Sequence, residues 1–157
     1  MIDWPPGYEP SRADLHVRNV TTAAAEPGAV WAWLVRPDLW RAFYRNAWRV
    51  RHDTGPWPAL GPGSRFRWVT FGAPVTTTVT EFAPPHRLAW TGTGLGSAGH
   101  HAWLLEPFDG GTRIVTEETQ HGRAVRLLAP ALRPAMRRAH QSWITGLAAT
   151  ATTGRPR

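Results

Sequence analysis

Four polar residues stand where this chain could do chemistry: His101, Glu118, His140 and Tyr44. His101 lies in the alternating run 99–106 and Glu118 in the next one, 112–120. Side chains alternate between the two faces of a strand. His101 therefore shares a face with Trp103 and Leu105, and Glu118 shares one with Ile114 and Thr116. The two runs are joined by Asp109-Gly110-Gly111 and read as a hairpin, which sets carboxylate and imidazole on one apolar face. Such a pair can serve as acid and base, because apolar surroundings move both pKa values toward neutrality. His140 sits at the margin of an apolar helical stripe, one turn from Met136 and beside Trp143. Tyr44 ends a short helical stretch, and either residue is a candidate proton donor. A structural reading competes with each assignment: Glu118 and His101 as a plain ion pair, His140 as a core residue bonded to a neighbour.

Other chemistries find less support. His100 and His101 are adjacent on a strand and point to opposite faces, so they cannot chelate together. No HxxxH or HExxH spacing occurs; His101, Glu118 and His140 could meet only by converging in three dimensions, and no metal is expected. The one G-x-G run, Gly92-Thr93-Gly94-Leu95-Gly96, ends a strand and opens a turn instead of joining a strand to a helix, so no phosphate cradle forms. No serine or cysteine nucleophile motif is present. No cofactor is expected.

Placing these residues is a task for a single domain. The chain has 157 residues, 42% hydrophobic and 18% charged, which is globular composition with enough length for a core. Cysteine is absent, which excludes disulfides and thiolate metal sites. No apolar run approaches the about 20 residues of a membrane span. No secretory signal is visible at the N-terminus, so the expected location is cytoplasmic. The net charge of +7 comes from 18 basic residues, all of them arginine. They are scattered along the chain and read as solvated faces, so no nucleic-acid partner is expected. Homodimer formation stays open.

Residues 1–13 read as an irregular lead-in that packs on the body, and 14–152 as the domain. A first strand is expected at 14–23. Glu26-Pro27-Gly28 then opens a helix over 29–35, with Pro27 in its first turn. A second short helix follows at 39–44. Strands are predicted at 47–52, 64–71, 75–82, 87–93, 99–106 and 112–120, separated by Gly- and Pro-bearing turns. The last long run, 122–150, is amphipathic: Val125, Leu128, Leu132, Met136, Ala139, Trp143 and Leu147 share one stripe, opposite Arg126, Arg133 and Arg137. Pro130 and Pro134 predict a break or kink near Ala129.

The order of elements, with Glu26-Pro27-Gly28-Ala29-Val30-Trp31, Pro37-Asp38-Leu39-Trp40, Gly61-Pro62-Gly63-Ser64-Arg65-Phe66, Thr80–Trp90 and Glu106-Pro107-Phe108-Asp109-Gly110-Gly111-Thr112 as landmarks, resembles the START-like or Bet v 1-like superfamily. That group is also called SRPBCC or polyketide cyclase/dehydrase-like. The likeness covers about residues 14–150. It implies an α+β helix-grip fold, a curved antiparallel sheet of about seven strands (β-α-α-β6-α) wrapped around the C-terminal helix, with an apolar cavity between them. Its members include lipid and hormone binders, cyclases and co-chaperones, so the shape alone does not name an activity.

Alternation then selects the residues facing such a cavity: Phe66, Trp68 and Thr70; Leu88 and Trp90; His101, Trp103 and Leu105; Ile114, Thr116 and Glu118. The strand 75–82 presents either Val75, Thr77 and Val79 or Thr76, Thr78 and Phe82. Trp31, Trp33, Trp40 and Trp143 read as core. The first expectation for function is a binder of a small apolar, aromatic or polycyclic molecule, with Tyr44, Phe66, Trp68, Trp90, Trp103, Leu105, Thr116, Met136 and Trp143 as contact surface. The second is a polyketide cyclase or dehydratase using Glu118 and His101 as acid and base, with His140 or Tyr44 donating a proton. The third is a co-chaperone-like interaction module.

Overall fold

The computed structural model describes residues 2–156. Strand β1 (Leu15–Ala23) leads into helix α1 (Pro27–Leu34), and six further strands follow: β2 (Trp48–Thr54), β3 (Arg65–Thr70), β4 (Ala73–Ala83), β5 (Arg87–Gly94), β6 (Ser97–Phe108) and β7 (Gly111–His121). Helix α2 (Arg123–Ala151) ends the fold. The strands make one antiparallel sheet in the order β1-β7-β6-β5-β4-β3-β2, so β2 to β7 form a meander and β1 returns to pair with β7. Tight turns permit this, since antiparallel neighbours need only a hairpin between them. Helix α2 packs along β1 and β7 and also meets α1. This is the α+β helix-grip fold.

Proline at the first position starts α1 because its missing N–H would have had no intrahelical partner. The second short helix is absent as such. A single 3-10 turn, Trp40–Ala42, stands in its place, built on i→i+3 bonds such as Ala42 N–H to Leu39 O at 3.0 Å. The Trp40 indole explains the tighter winding. It is fully buried, donates to the Leu34 carbonyl at 2.9 Å, and packs against Phe66, Trp68, Trp90 and Trp143. Tertiary anchoring overrides local helix propensity here.

Nor does α2 break near Ala129; it is one continuous helix with Pro130 and Pro134 inside it. Both prolines are exposed, and so is Arg126. The carbonyls their rings leave without a donor, those of Arg126 and Pro130, lie on the watered side of the helix, which limits the cost of the missing bonds. Downstream, Met136, Trp143, Ile144 and Leu147 are buried. Leu128 was expected on the same stripe but is 51% exposed. His140, placed at the margin by the wheel, is buried. Gly146 lets the Phe43 backbone approach the helix where any Cβ would collide with the Phe43 carbonyl. At the start of α2, Asp14 accepts from the Gly122 N–H at 2.9 Å and from Arg126 Nε at 2.6 Å, capping the helix from the end of the first strand.

Strand β4 follows the first of the two inward patterns that the sequence left open, and takes only Phe82 from the second. Val75, Thr77 and Val79 face the helix, and a bulge between Val79 and Glu81 shifts the register so that Phe82 also turns inward onto Trp31. The large core is aromatic and centred on Trp40, Phe66, Trp103 and Trp143. A smaller cluster, Leu15, Val17, Val125 and Met136, lies under the first half of α2. The lead-in packs on the opposite face of the sheet, where Trp4 and Tyr8 cover His16, His100 and His121. His100, expected outward, is therefore on the outer face yet buried.

Candidate functional site

Between the two core clusters lies a cavity of about 320 Å³. Its walls come from β3 to β7 and α2, and include Trp68, Thr77, Trp90, Met136 and Trp143. Phe71, Leu95 and Leu128 line it and are themselves exposed, so it opens between the β3–β4 turn, the β5–β6 turn and the first turns of α2. Phe71 and Leu95 hold φ of 50° and 48°. A bulky side chain in the left-handed region is uncommon, and here the strained turns present two apolar side chains to the opening.

His101 and Glu118 are direct cross-strand partners on β6 and β7, and His140 descends on them from α2. Glu118 Oε2 lies 3.1 Å from His101 Nδ1 and 3.1 Å from His140 Nε2. The two imidazoles stack, centroids 4.8 Å apart. Burial acts against the Glu118 carboxylate, but the two histidines and the Gln120 amide outweigh it and hold the group below the usual carboxylate range. Burial pushes the His101 imidazole well below its ordinary value, against the pull of Glu118. Both shifts run away from neutrality, opposite to the expectation for a pair in apolar surroundings. His101 Nε2 is bonded to Thr116 Oγ1 at 2.6 Å, and that hydroxyl lies 3.2 Å from the Ala102 carbonyl. His140 Nδ1 and Trp143 Nε1 are buried with no hydrogen-bond partner among the described residues.

Tyr44 stacks on Trp143 at 4.2 Å, nearly parallel, and lines the cavity. Burial raises its pKa, so it remains a neutral hydroxyl. Asn46 Nδ2 donates to it at 2.9 Å, and Asn46 Oδ1 accepts from the Phe71 N–H at 2.8 Å, which ties the phenol to the turn at the mouth.

Of the residues singled out by alternation and the wheel, His101, Glu118, His140, Tyr44, Trp68, Trp90, Met136 and Trp143 border the cavity. Phe66, Trp103, Leu105 and Thr116 do not. Phe66 and Leu105 are packed into the core, Trp103 lies behind His101 in a ring stack at 5.1 Å, and Thr116 supports that histidine. Alternation assigns a face and not a depth along it, which accounts for all four. Sequence reasoning missed Gln120, although one more step of the same alternation reaches it; its amide donates to Glu118 Oε1. It also missed Asn46 and the exposed rim residues Phe71 and Leu95, which no periodic signal marks.

The chain belongs to the polyketide cyclase / dehydrase and lipid transport family, whose model matches residues 14–152. Among solved structures, a hypothetical protein of Helicobacter pylori, jhp0584, superposes with a TM-score of 0.89 at 30% identity, covering 96% of each chain. The Zhui aromatase/cyclase from Streptomyces sp. R1128 gives 0.72 at 16% identity, over 87% of this chain and 93% of the other. Ara h 8.0201 gives 0.70 at 15%, over 88% and 98%. The last two establish shared fold alone. No curated protein matches the sequence. No helix among the described residues is long and apolar enough to cross a membrane.

Proposed function

We propose that the protein binds one small, flat, apolar molecule in the cavity between sheet and α2, and holds a polar group of it against Glu118, His101 and His140. The observation that carries this reading is the cavity itself: about 320 Å³ left open in a domain whose remaining interior is densely aromatic. That volume falls at the lower end of the about 300–1,000 Å³ usual for small-molecule sites. Trp68, Trp90 and Trp143 offer ring faces and edges, and the unpaired Trp143 N–H offers a donor to a carbonyl or hydroxyl. An interaction module with a filled core has less support, because the core is not filled.

Native mass spectrometry of the purified chain tests this. One small organic molecule per chain is expected, retained by the parent and lost in Val75→Trp, whose indole would occupy the space. A chain that carries nothing, and takes up no flat aromatic compound on incubation, would overturn the reading.

A second reading adds catalysis of the cyclase or dehydratase kind. Three titratable groups meeting at one wall is more polarity than an apolar ligand requires for orientation. Ionised Glu118 would take the proton alpha to a carbonyl, and the Tyr44 hydroxyl would stabilise the oxygen that gains charge. Deuterium uptake from solvent into a bound β-diketone, abolished by Glu118→Gln, is the expected signature. Uptake no faster than in buffer contradicts it.

A further inference from the structure

Three side chains able to ligate a metal meet at one wall of the cavity. Thr116 Oγ1 carries one proton and lies 2.6 Å from His101 Nε2 and 3.2 Å from the Ala102 carbonyl. Where the hydroxyl gives its proton to the carbonyl, it accepts from His101 and Nε2 bears the ring proton. A neutral ring of that tautomer turns the bare lone pair of Nδ1 toward Glu118 Oε2 at 3.1 Å. Two lone pairs facing each other in a buried site repel unless a positive charge lies between them. Arginine supplies every basic side chain of this protein, yet among the described residues none lines the cavity, and Glu118 is its single carboxylate.

We propose that His101, Glu118 and His140 bind one divalent first-row transition ion, zinc by the pattern of its ligands, with the remaining coordination position open to the cavity. The three ligand atoms lie within 4.8 Å of one another, and two of the three separations are 3.1 Å. Ligands on a tetrahedral zinc at about 2.0–2.1 Å stand roughly 3.4 Å apart, so binding requires the stacked imidazoles to rotate until their in-plane nitrogens converge. Two neutral imidazoles and one carboxylate match zinc, and three protein ligands with an open fourth position is the catalytic arrangement. The surrounding contacts also fit: Thr116 holds the far ring nitrogen of His101, and Gln120 donates to the carboxylate oxygen that faces away from both rings. The absence of HxxxH or HExxH excludes only ligands within one element. Here they come from β6, β7 and α2, a convergence that sequence spacing does not display.

This inference goes beyond the apolar pocket and does not depend on which organic molecule enters it. The test uses the untagged full chain, stripped with a chelator and titrated with Zn²⁺ and with Co²⁺. One ion per chain is expected, with a rise in melting temperature of the parent and visible Co²⁺ absorption bands of tetrahedral intensity. Glu118→Gln and His140→Gln are expected to weaken binding at least about 100-fold, and Thr116→Val about 10–100-fold. Glu117→Gln and His16→Ala, on the other face of the sheet, should leave it unchanged. The parent spectrum and melting shift need no variant, so a misfolded mutant cannot hide the answer. Absence of saturable binding, or binding that survives both ligand substitutions, would overturn the site. Uptake of an aromatic probe by the metal-free chain is read separately, so failure of the ion and failure of the pocket are distinct results.

Discussion

The two faces of strands β1, β6 and β7 use the same residue types to different ends. On the inner face, Glu118 meets imidazoles and the Gln120 amide and, among the described residues, no guanidinium, beside open space. On the outer face, its chain neighbour Glu117 meets Arg18 at 3.0 Å and His16 at 2.9 Å, and part of the group reaches water. His101 is stacked between Trp103 and His140 at the cavity wall. His100, one residue earlier, is sealed under Trp4 and Tyr8 with neither ring nitrogen bonded among the described residues. Burial lowers the pKa of both rings. Burial and a histidine-carboxylate pair therefore do not by themselves mark a site. What separates the faces is that the inner one leaves volume unfilled and its carboxylate without a guanidinium, while the outer one is closed by the protein's own aromatic side chains.

Removing the centre of the inner packing should have the largest effect. Trp40→Ala deletes a fully buried indole and its bond to Leu34, and is expected to cost about 3–5 kcal/mol in chemical denaturation. A loss below about 1 kcal/mol would mean that the inner face is far looser than its packing implies.

Legibility in the sequence followed the same division. Alternation on β6 and β7 was enough to put His101 and Glu118 on one face, because a hairpin sets the register and a pleat sets the side. The five turn landmarks, in order, were enough for the fold. Depth was not legible. Leu105 and Trp90 share the inner face, yet one lies in the core and the other borders the cavity. His140 was ambiguous because a wheel gives an angle without saying how far the helix is rotated against its sheet. The seal over His100 depends on a contact between the lead-in and β6 across some ninety residues, which no local pattern encodes.

Opening the outer face should have a middling effect and leave the inner one intact. The double substitution Trp4→Ala with Tyr8→Ala uncovers His100 and His121 and is expected to cost about 1–3 kcal/mol, while uptake of an aromatic probe by the cavity stays within twofold. A large loss of uptake would show that the two faces are coupled through the strands. Smaller again is Glu117→Gln, which weakens partly solvated pairs with Arg18 and His16 and should cost about 0.5–1 kcal/mol, read by denaturation.

The smallest expected effect concerns how the helix roof is fastened. Hydrogen bonds from Gly122 and Arg126 hold the Asp14 carboxyl below its ordinary value of 3.8. A lowered folded-state pKa means stabilisation that is present above that ordinary value and is lost as pH falls through the folded one. Melting temperature followed against pH should therefore decline on the acid side below about pH 4, and Asp14→Asn should flatten part of that decline. An unchanged acid limb would remove Asp14 from the account.

The most direct test of an open inner face beside a closed outer one is a titration of the parent chain with aminoanthracene, followed by quenching of tryptophan fluorescence. The account predicts saturable binding of one molecule per chain, abolished by Val75→Trp at the cavity wall and preserved when Trp4 and Tyr8 are removed. Binding that persists in Val75→Trp, or that vanishes with the outer aromatic cap, would contradict it.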